Sequence, residues 1–394
     1  MRICFFEIRS SSLLRFPKSI FDAMVSEHDD LNFTCLVDGK IFASDSEAFC
    51  KISNGKSVGF FTVKTWMPNS VATALKKINP DVLVIFAHRI PDLAVMLVAQ
   101  EMGIKVVYFQ HGLYVPFMKR NLVFFMDQLV KTLAYASAAI LISKRHDKSW
   151  FRGFSALMSV FLLGSKRLST CFTSGPIVAD LALVYGDYWA DFHEVEYGYD
   201  PTAITVVGAP DLMGVDFTSP SEPPSRANTM CYVAQTLVED GRLHRTQMKK
   251  FLASLSSALA DNGLVLLVKL HPRSDLSLYE GLNCEVVLTK DFPVATAYVG
   301  HYSTMLVRGA AYTDKFLLAE FDEHPTPIYL SNLATFLIAA SRDRELHSVI
   351  GSLASAEINA LELANKQLEL KYYFEPPAGS LYSSVSRLIL DLKQ

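Results

Sequence analysis

Leu264-Val265-Leu266-Leu267-Val268-Lys269-Leu270-His271-Pro272 is an apolar run that closes on a lysine, a histidine and a proline. A run this apolar, with no polar alternation, has the pattern of a strand buried on both faces, as strands of parallel sheets are. Lys269 and His271 then emerge at its carboxyl end, where open α/β sheets bind ligands. Further on, a second short apolar run at 297–299 leads into Gly300-His301-Tyr302-Ser303-Thr304 and a helical-looking segment at 305–312. Small hydroxyl residues opening a helix offer hydroxyl donors, backbone N–H groups and the positive end of the helix dipole to an anion. The two stretches together have the makings of a phosphate site.

The same alternation runs along the whole chain. Residues 31–37, 81–87 and 105–109 read as short apolar strands, with a helical segment at 91–102. Residues 181–185 and 204–207 are strand-like again, and Tyr185-Gly186-Asp187-Tyr188-Trp189 leads into a helix. Residues 218–228, with Pro220, Pro223 and Pro224, cannot form a regular element and read as a linker. Beyond them come strands at 230–234, 264–270, 284–288, 297–299 and 316–319 and a helix around 243–259. The expected fold class is α/β, with two Rossmann-like domains facing across a cleft. The domains are expected at 1–217 and 229–394, and an amphipathic segment at 381–392 packs on the body, with the option of returning to the first domain. Strand 105–109 ends in Gln110-His111-Gly112, so His111 is expected at a strand tip facing the cleft, with Gly112 permitting a sharp turn.

Composition narrows the function classes. A chain of 394 residues, 50% of them hydrophobic, can bury a large core, and a net charge of −3 gives no electrostatic reason to expect nucleic acid. Six scattered cysteines without a C-x-x-C pair are expected to be buried hydrophobes in a reducing compartment. The start Met1-Arg2-Ile3-Cys4-Phe5-Phe6-Glu7 runs straight into a strand-like segment and does not read as a signal peptide. A cytoplasmic location is expected, with association to the inner face of the membrane as the open alternative. That alternative comes from residues 117–168, which mix Phe124, Phe125, Trp150, Phe151, Phe154 and Phe161 with Lys119, Arg120, Lys131, Lys144, Arg145, Lys148, Arg152, Lys166 and Arg167. Two readings stand: helices lying on an anionic membrane surface, or domain helices whose cationic stems reach to solvent.

The ordered set Gln110-His111-Gly112, Val207-Gly208-Ala209-Pro210, Tyr232-Val233-Ala234-Gln235, Lys269-Leu270-His271-Pro272 and Ser303-Thr304 resembles the GT-B glycosyltransferases of bacterial surface polysaccharide synthesis. Two branches are similar: the CMP-sialic acid-dependent sialyl- and polysialyltransferases, and the teichoic-acid and capsule polymerases. The resemblance spans roughly residues 75 to 320, and each motif is short. It implies an inverting glycosyltransferase that takes a sugar from a nucleotide donor, a CMP-sugar by preference, to a glycan, capsule or lipopolysaccharide acceptor. It implies no cofactor beyond that co-substrate. One departure matters: where the sialyltransferases carry a carboxylate pair before glycine, this chain has Gln110-His111-Gly112. Glu239-Asp240-Gly241 lies in the second domain, away from where the family keeps its base, and reads as a loop or helix cap.

Chemistry assigns the roles. An inverting transfer needs a base for the acceptor hydroxyl, and a histidine with an ordinary pKa of about 6.5 suits neutral pH; His111 is that candidate. His271 is placed to hydrogen-bond the departing phosphate. Lys269, Ser303 and Thr304 are read as phosphate ligands, with Arg273 as an alternative cation. His301 and Gln235 are read as contacts to base, sugar or donor. No metal is expected, because no D-x-D motif follows a strand to hold a divalent cation on a diphosphate. Two other functions stay open: a nucleotide-sugar 2-epimerase-like isomerase, and a non-catalytic GT-B-like binding subunit.

Overall fold

In the computed structural model, apolar runs become two all-parallel sheets, each wrapped by helices. The structure describes every residue except 52–57, 113–121, 164–170, 173, 216, 218–227, 240, 272, 288–291, 322–325 and 393–394, and for 122–128, 130–134, 156–157 and 159–163 the backbone alone. The expected linker, save Asn228, and also Asp240 and Pro272 thus lie outside the described residues.

The first sheet contains β1 (Arg2–Glu7), β2 (Asn32–Asp38), β3 (Val58–Val63), β4 (Val82–Ile85), β5 (Lys105–Phe109), β6 (Leu181–Val184) and β7 (Ile204–Val206). Their order is β3-β2-β1-β4-β5-β6-β7. The second contains β8 (Thr229–Val233), β9 (Val265–Lys269), β10 (Cys284–Val287), β11 (Ala297–Gly300), β12 (Phe316–Glu320) and β13 (Phe336–Ala339), in the order β10-β9-β8-β11-β12-β13. All pairings are parallel. Both sheets are doubly wound, and each reverses direction at one point: between β1 and β4, and between β8 and β11. Such reversals open a crevice at the strands' carboxyl ends. The strands flanking these points are buried almost throughout, as their Val, Leu, Ile and Phe content requires.

The chain separates into two compact units. The first is built from Met1–Tyr114 and Arg120–Pro210 and closes with Pro377–Gln394; the second is centred on Asp211–Pro376. The C-terminal helix Leu381–Asp391 buries Leu381, Val385 and Ile389 and packs on the helix Phe16–Glu27 of the first unit. On the first sheet, the helix Ile90–Glu101 carries the long helix Leu122–His146, which in turn carries Trp150–Leu163. Gly153 makes that last contact: a Cβ there would lie 2.6 Å from the Ser143 Cβ and 2.8 Å from the Ala139 carbonyl oxygen.

A buried aromatic cluster sits under β4 and β5. His88, Tyr108, His193, Tyr197 and Tyr199 are all buried, and the two imidazole rings lie 5.7 Å apart. His88 Nε2 shares a hydrogen bond of 2.7 Å with the Tyr199 hydroxyl, and His193 Nδ1 donates to the Trp189 carbonyl at 2.6 Å. His88 Nδ1 and His193 Nε2 find no hydrogen-bond partner among the described residues. Burial holds the His88 pKa well below the ordinary histidine value and brings His193 down to about 4.

Candidate functional site

In the second unit, the reversal point brings Gln235, just past β8, together with the turn that follows β11. Gln235 Oε1 accepts from the Tyr302 backbone N–H at 3.1 Å, tying the two strand ends to each other. Ser303 is extended, and its Oγ accepts from Met305 N at 3.3 Å, so it caps the 3₁₀ helix Thr304–Ala311. Thr304 is differently engaged: its hydroxyl donates to the Asp211 carboxylate. A hydroxyl has a single proton, so Thr304 has none to offer an anion while that bond stands.

From the adjacent β9, His271 is half-buried and its Nδ1 accepts from the Arg273 backbone N–H at 3.1 Å. An accepting Nδ1 leaves the neutral ring's proton on Nε2, the tautomer that can donate to an oxyanion. The Arg273 guanidinium reaches across to Thr236 Oγ1 at 3.1 Å, beside Gln235. Gln235, Thr236, His271, Arg273 and Ser303 therefore gather at one sheet edge.

Lys269 and His301 are both buried. Lys269 is buried in β9, and its charge lies close enough to lower the Cys231 thiol, although burial dominates and pushes that thiol up to about 12. His301 is enclosed by the rings of Phe251 and Phe321. Its Nδ1 donates to the Ala319 carbonyl at 2.7 Å and its Nε2 lies 3.0 Å from the Tyr232 hydroxyl. Both ring nitrogens are thus committed to the core. Glu239 fastens a loop, accepting from Asp275 N at 2.6 Å.

In the first unit, His111 follows β5, and two contacts fix it. Its Nε2 lies 3.1 Å from an Arg15 guanidinium nitrogen, and its Nδ1 lies 3.5 Å from Glu7 Oε1. Arginine only donates, so Nε2 accepts and the ring proton sits on Nδ1, toward Glu7. The turn beneath is set by Gln110, whose Oε1 accepts from Tyr185 N at 2.9 Å and whose Nε2 donates to the Gly112 carbonyl at 3.2 Å. Gly112 has φ of 77°, a conformation that a side chain would strain.

Glu7, at the end of β1 beside the reversal point, is a residue that motif reading missed. It is almost fully buried, yet charged: Arg89 reaches its Oε2 at 3.2 Å and Ile8 N donates to the same oxygen at 3.2 Å. Burial pushes the Glu7 carboxyl up, but the neighbouring His111 ring and the Arg89 charge outweigh it and hold the pKa below its ordinary value. Arg89 also grips Asp92 through Nε at 2.7 Å and Nη2 at 3.0 Å. Asp92 is fully buried, and that burial raises its pKa despite the arginine. Arg15 and Glu7 thus flank His111, and Arg89 and Asp92 complete a charged shell behind Glu7. The signal that could have found it is a carboxylate directly ending a buried N-terminal strand. Among the described residues, no group of three or more His, Cys, Asp or Glu side chains could hold a metal ion.

No protein-family model matches this sequence, and no curated protein does. Solved structures do match along its whole length. S. aureus MnaA, in a co-structure with UDP, is 10% identical, with 100% of this chain and 95% of that one covered and a TM-score of 0.52. MurG of Acinetobacter baumannii is 10% identical, with 99% of each chain covered and a TM-score of 0.53. The UDP-GlcNAc 2-epimerase of Methanocaldococcus jannaschii is 11% identical, with 100% and 99% covered and a TM-score of 0.53. The likeness is one of fold. With these proteins the chain shares the GT-B-type architecture of two Rossmann-like α/β units. The nucleotide in the S. aureus co-structure is UDP, and the Methanocaldococcus enzyme also occurs in complex with UDP-GlcNAc and UDP. The CMP preference drawn from the sequence has no counterpart among these three.

Proposed function

We propose that the protein is a nucleotide-sugar enzyme that transfers a glycosyl group, with inversion, from a donor held by its second unit to an acceptor hydroxyl. The observation that carries this reading is the convergence of Arg273, His271, Gln235 and Ser303 at the reversal point of the second sheet. An arginine fork, an imidazole Nε2–H and a capping serine suit the oxygens of a phosphate whose charge grows as the sugar departs. The donor class we favour is a UDP-sugar, by analogy with the nucleotide bound by the similar structures; CMP-sugars are the competing donor. Arg273 takes the part that the sequence offered to Lys269.

His111 is the proposed base. An acceptor hydroxyl would replace Arg15 at Nε2 and give up its proton there, while Glu7 faces the Nδ1–H and stabilises the imidazolium that forms. Glu7 is then a positioning residue that acts through His111. Charge neutralisation by Arg273 and His271 leaves no step that calls for a metal ion.

A second reading, a 2-epimerase-like isomerase, is favoured by the charged shell itself. Arg15 and Glu7 flank His111, and Arg89 links Glu7 to Asp92 behind it. One experiment separates the readings. The protein is incubated with UDP-GlcNAc, UDP-glucose or CMP-sialic acid and an acceptor extract, and nucleotides and sugars are resolved by chromatography. Free nucleotide with an extended acceptor supports transfer. An epimeric nucleotide sugar without free nucleotide supports isomerisation. Nucleotide binding without either product would leave only a binding subunit.

A further inference from the structure

The helix Trp150–Leu163 presents large apolar side chains to solvent. Trp150 is 65% exposed, Phe151 64%, Phe154 56% and Met158 38%. Their spacing is helical: at 100° per residue, positions 150, 154, 158 and 151 fall within one stripe about 100° wide. Gly153 lies off that stripe and is the point pressed against the helix Leu122–His146. Since Trp150–Leu163 packs on Leu122–His146, which packs on Ile90–Glu101, the helix is the outermost of three layers of the first unit. An isolated exposed leucine needs no explanation, but four bulky groups in one stripe do.

The charge around the stripe says what covers it. Lys144, Lys148 and Arg152 are exposed. The carboxylate in this stretch, Asp147, is buried and accepts from Ser174 N at 2.8 Å. Arg145 pairs with Glu101. The surface is therefore aromatic at its centre and cationic at its rim, and it lacks an exposed acid among the described residues 144–158. Tryptophan and phenylalanine favour the bilayer interface, and lysine and arginine are drawn to anionic headgroups. Among the described residues no helix is long and apolar enough to cross a membrane.

We propose that Trp150, Phe151, Phe154 and Met158, rimmed by Lys144, Lys148 and Arg152, form a docking surface for an anionic lipid bilayer, on which the helix Trp150–Leu163 lies flat. The surface is separate from the residues assigned to chemistry, so nucleotide turnover with a soluble acceptor does not depend on it.

The test is co-sedimentation of the full chain with vesicles of phosphatidylcholine alone, and of phosphatidylcholine and phosphatidylglycerol in equal parts, at low and high salt. The expected result is binding to the mixed vesicles that weakens with salt and is much weaker on phosphatidylcholine. Replacing Trp150, Phe151 and Phe154 together by serine should abolish it. Lys144→Gln, Lys148→Asn and Arg152→Gln together should weaken it on the order of a hundredfold, at about fivefold per cation. Asparagine is chosen because residue 148 has a positive φ of 54°. Thermal melting of each variant checks that the fold survives. Binding that neither variant changes, or no binding to the mixed vesicles, overturns the proposal. So does self-association of the wild type that the serine variant abolishes without vesicle binding, since the stripe would then belong to a second copy of the chain.

Discussion

Mild acid should destabilise the first unit through His88 and His193. Both rings are neutral in the folded state, because burial holds their pKa values down, with His193 at about 4. In the unfolded chain each takes up a proton near its ordinary value of about 6.5. Between those limits the unfolded state binds more protons, so stability falls as pH falls, beginning near 6.5 and continuing to the folded-state pKa. Each group contributes up to about 1.4 kcal/mol per pH unit, so lowering the pH from 6.5 to 5 costs up to roughly 4 kcal/mol for the two together. Loss on that scale is a large part of a typical domain's stability. The assay is urea unfolding followed by fluorescence at a series of pH values, where the midpoint should fall steadily below neutrality. His193→Gln should remove about half of that slope, and adding His88→Gln most of the rest. A midpoint that stays level down to pH 5, or a slope unchanged in the double variant, would refute the reasoning.

Three further outcomes follow from the site and the packing. Glu7→Gln should lower kcat about tenfold to a hundredfold, the kinetic equivalent of a hydrogen bond to a charged group, with the donor KM within about twofold; an unchanged kcat beside a lowered melting temperature would make Glu7 purely structural. Arg273→Ala should weaken UDP binding, measured by calorimetry, by about tenfold or more, whereas Lys269→Met should leave it within a few-fold, and chelation with EDTA should leave turnover intact. Gly153→Val should cost about 1–3 kcal/mol, because its Cβ would meet the backbone of the facing helix, and should lower the melting temperature by several degrees.

Sequence patterning reveals all the central strands but only two of the four edge strands, β7 and β10. The runs at 105–109, 264–270 and 316–319 became β5, β9 and β12 because strands covered on both faces by helices must be apolar throughout. The strands that escaped were β3 and β13, which end their sheets. Val58–Val63 and Phe336–Ala339 are only half covered, so their hydrophobic signal is diluted by residues that face solvent. The site divides the same way. His111, His271, Gln235 and Ser303 could be placed at sheet edges because each follows a legible strand by a few residues. The burial of Lys269 was not legible, because alternation places a side chain on a face without saying how deeply that face is buried. His301 needed knowledge of the Ala319 carbonyl and the Tyr232 hydroxyl, which come from strands far away in the chain. Glu7 lay more than a hundred residues from His111, and only the strand order that sets β1 beside β4 and β4 beside β5 brings the two together.

The return of Leu381–Asp391 to the helix Phe16–Glu27 orders the birth of the molecule. During synthesis the strands of the first unit emerge early, but the helix that covers Phe16–Glu27 leaves the ribosome only after the whole second unit has done so. That second unit, centred on Asp211–Pro376, can finish folding before its elder neighbour does. A chain stopped at residue 210 would leave the apolar side of Phe16–Glu27 bare, and such a fragment would meet chaperones or aggregate where the whole chain does not. The helix Leu381–Asp391 is thus the keystone of a unit begun more than three hundred residues before it.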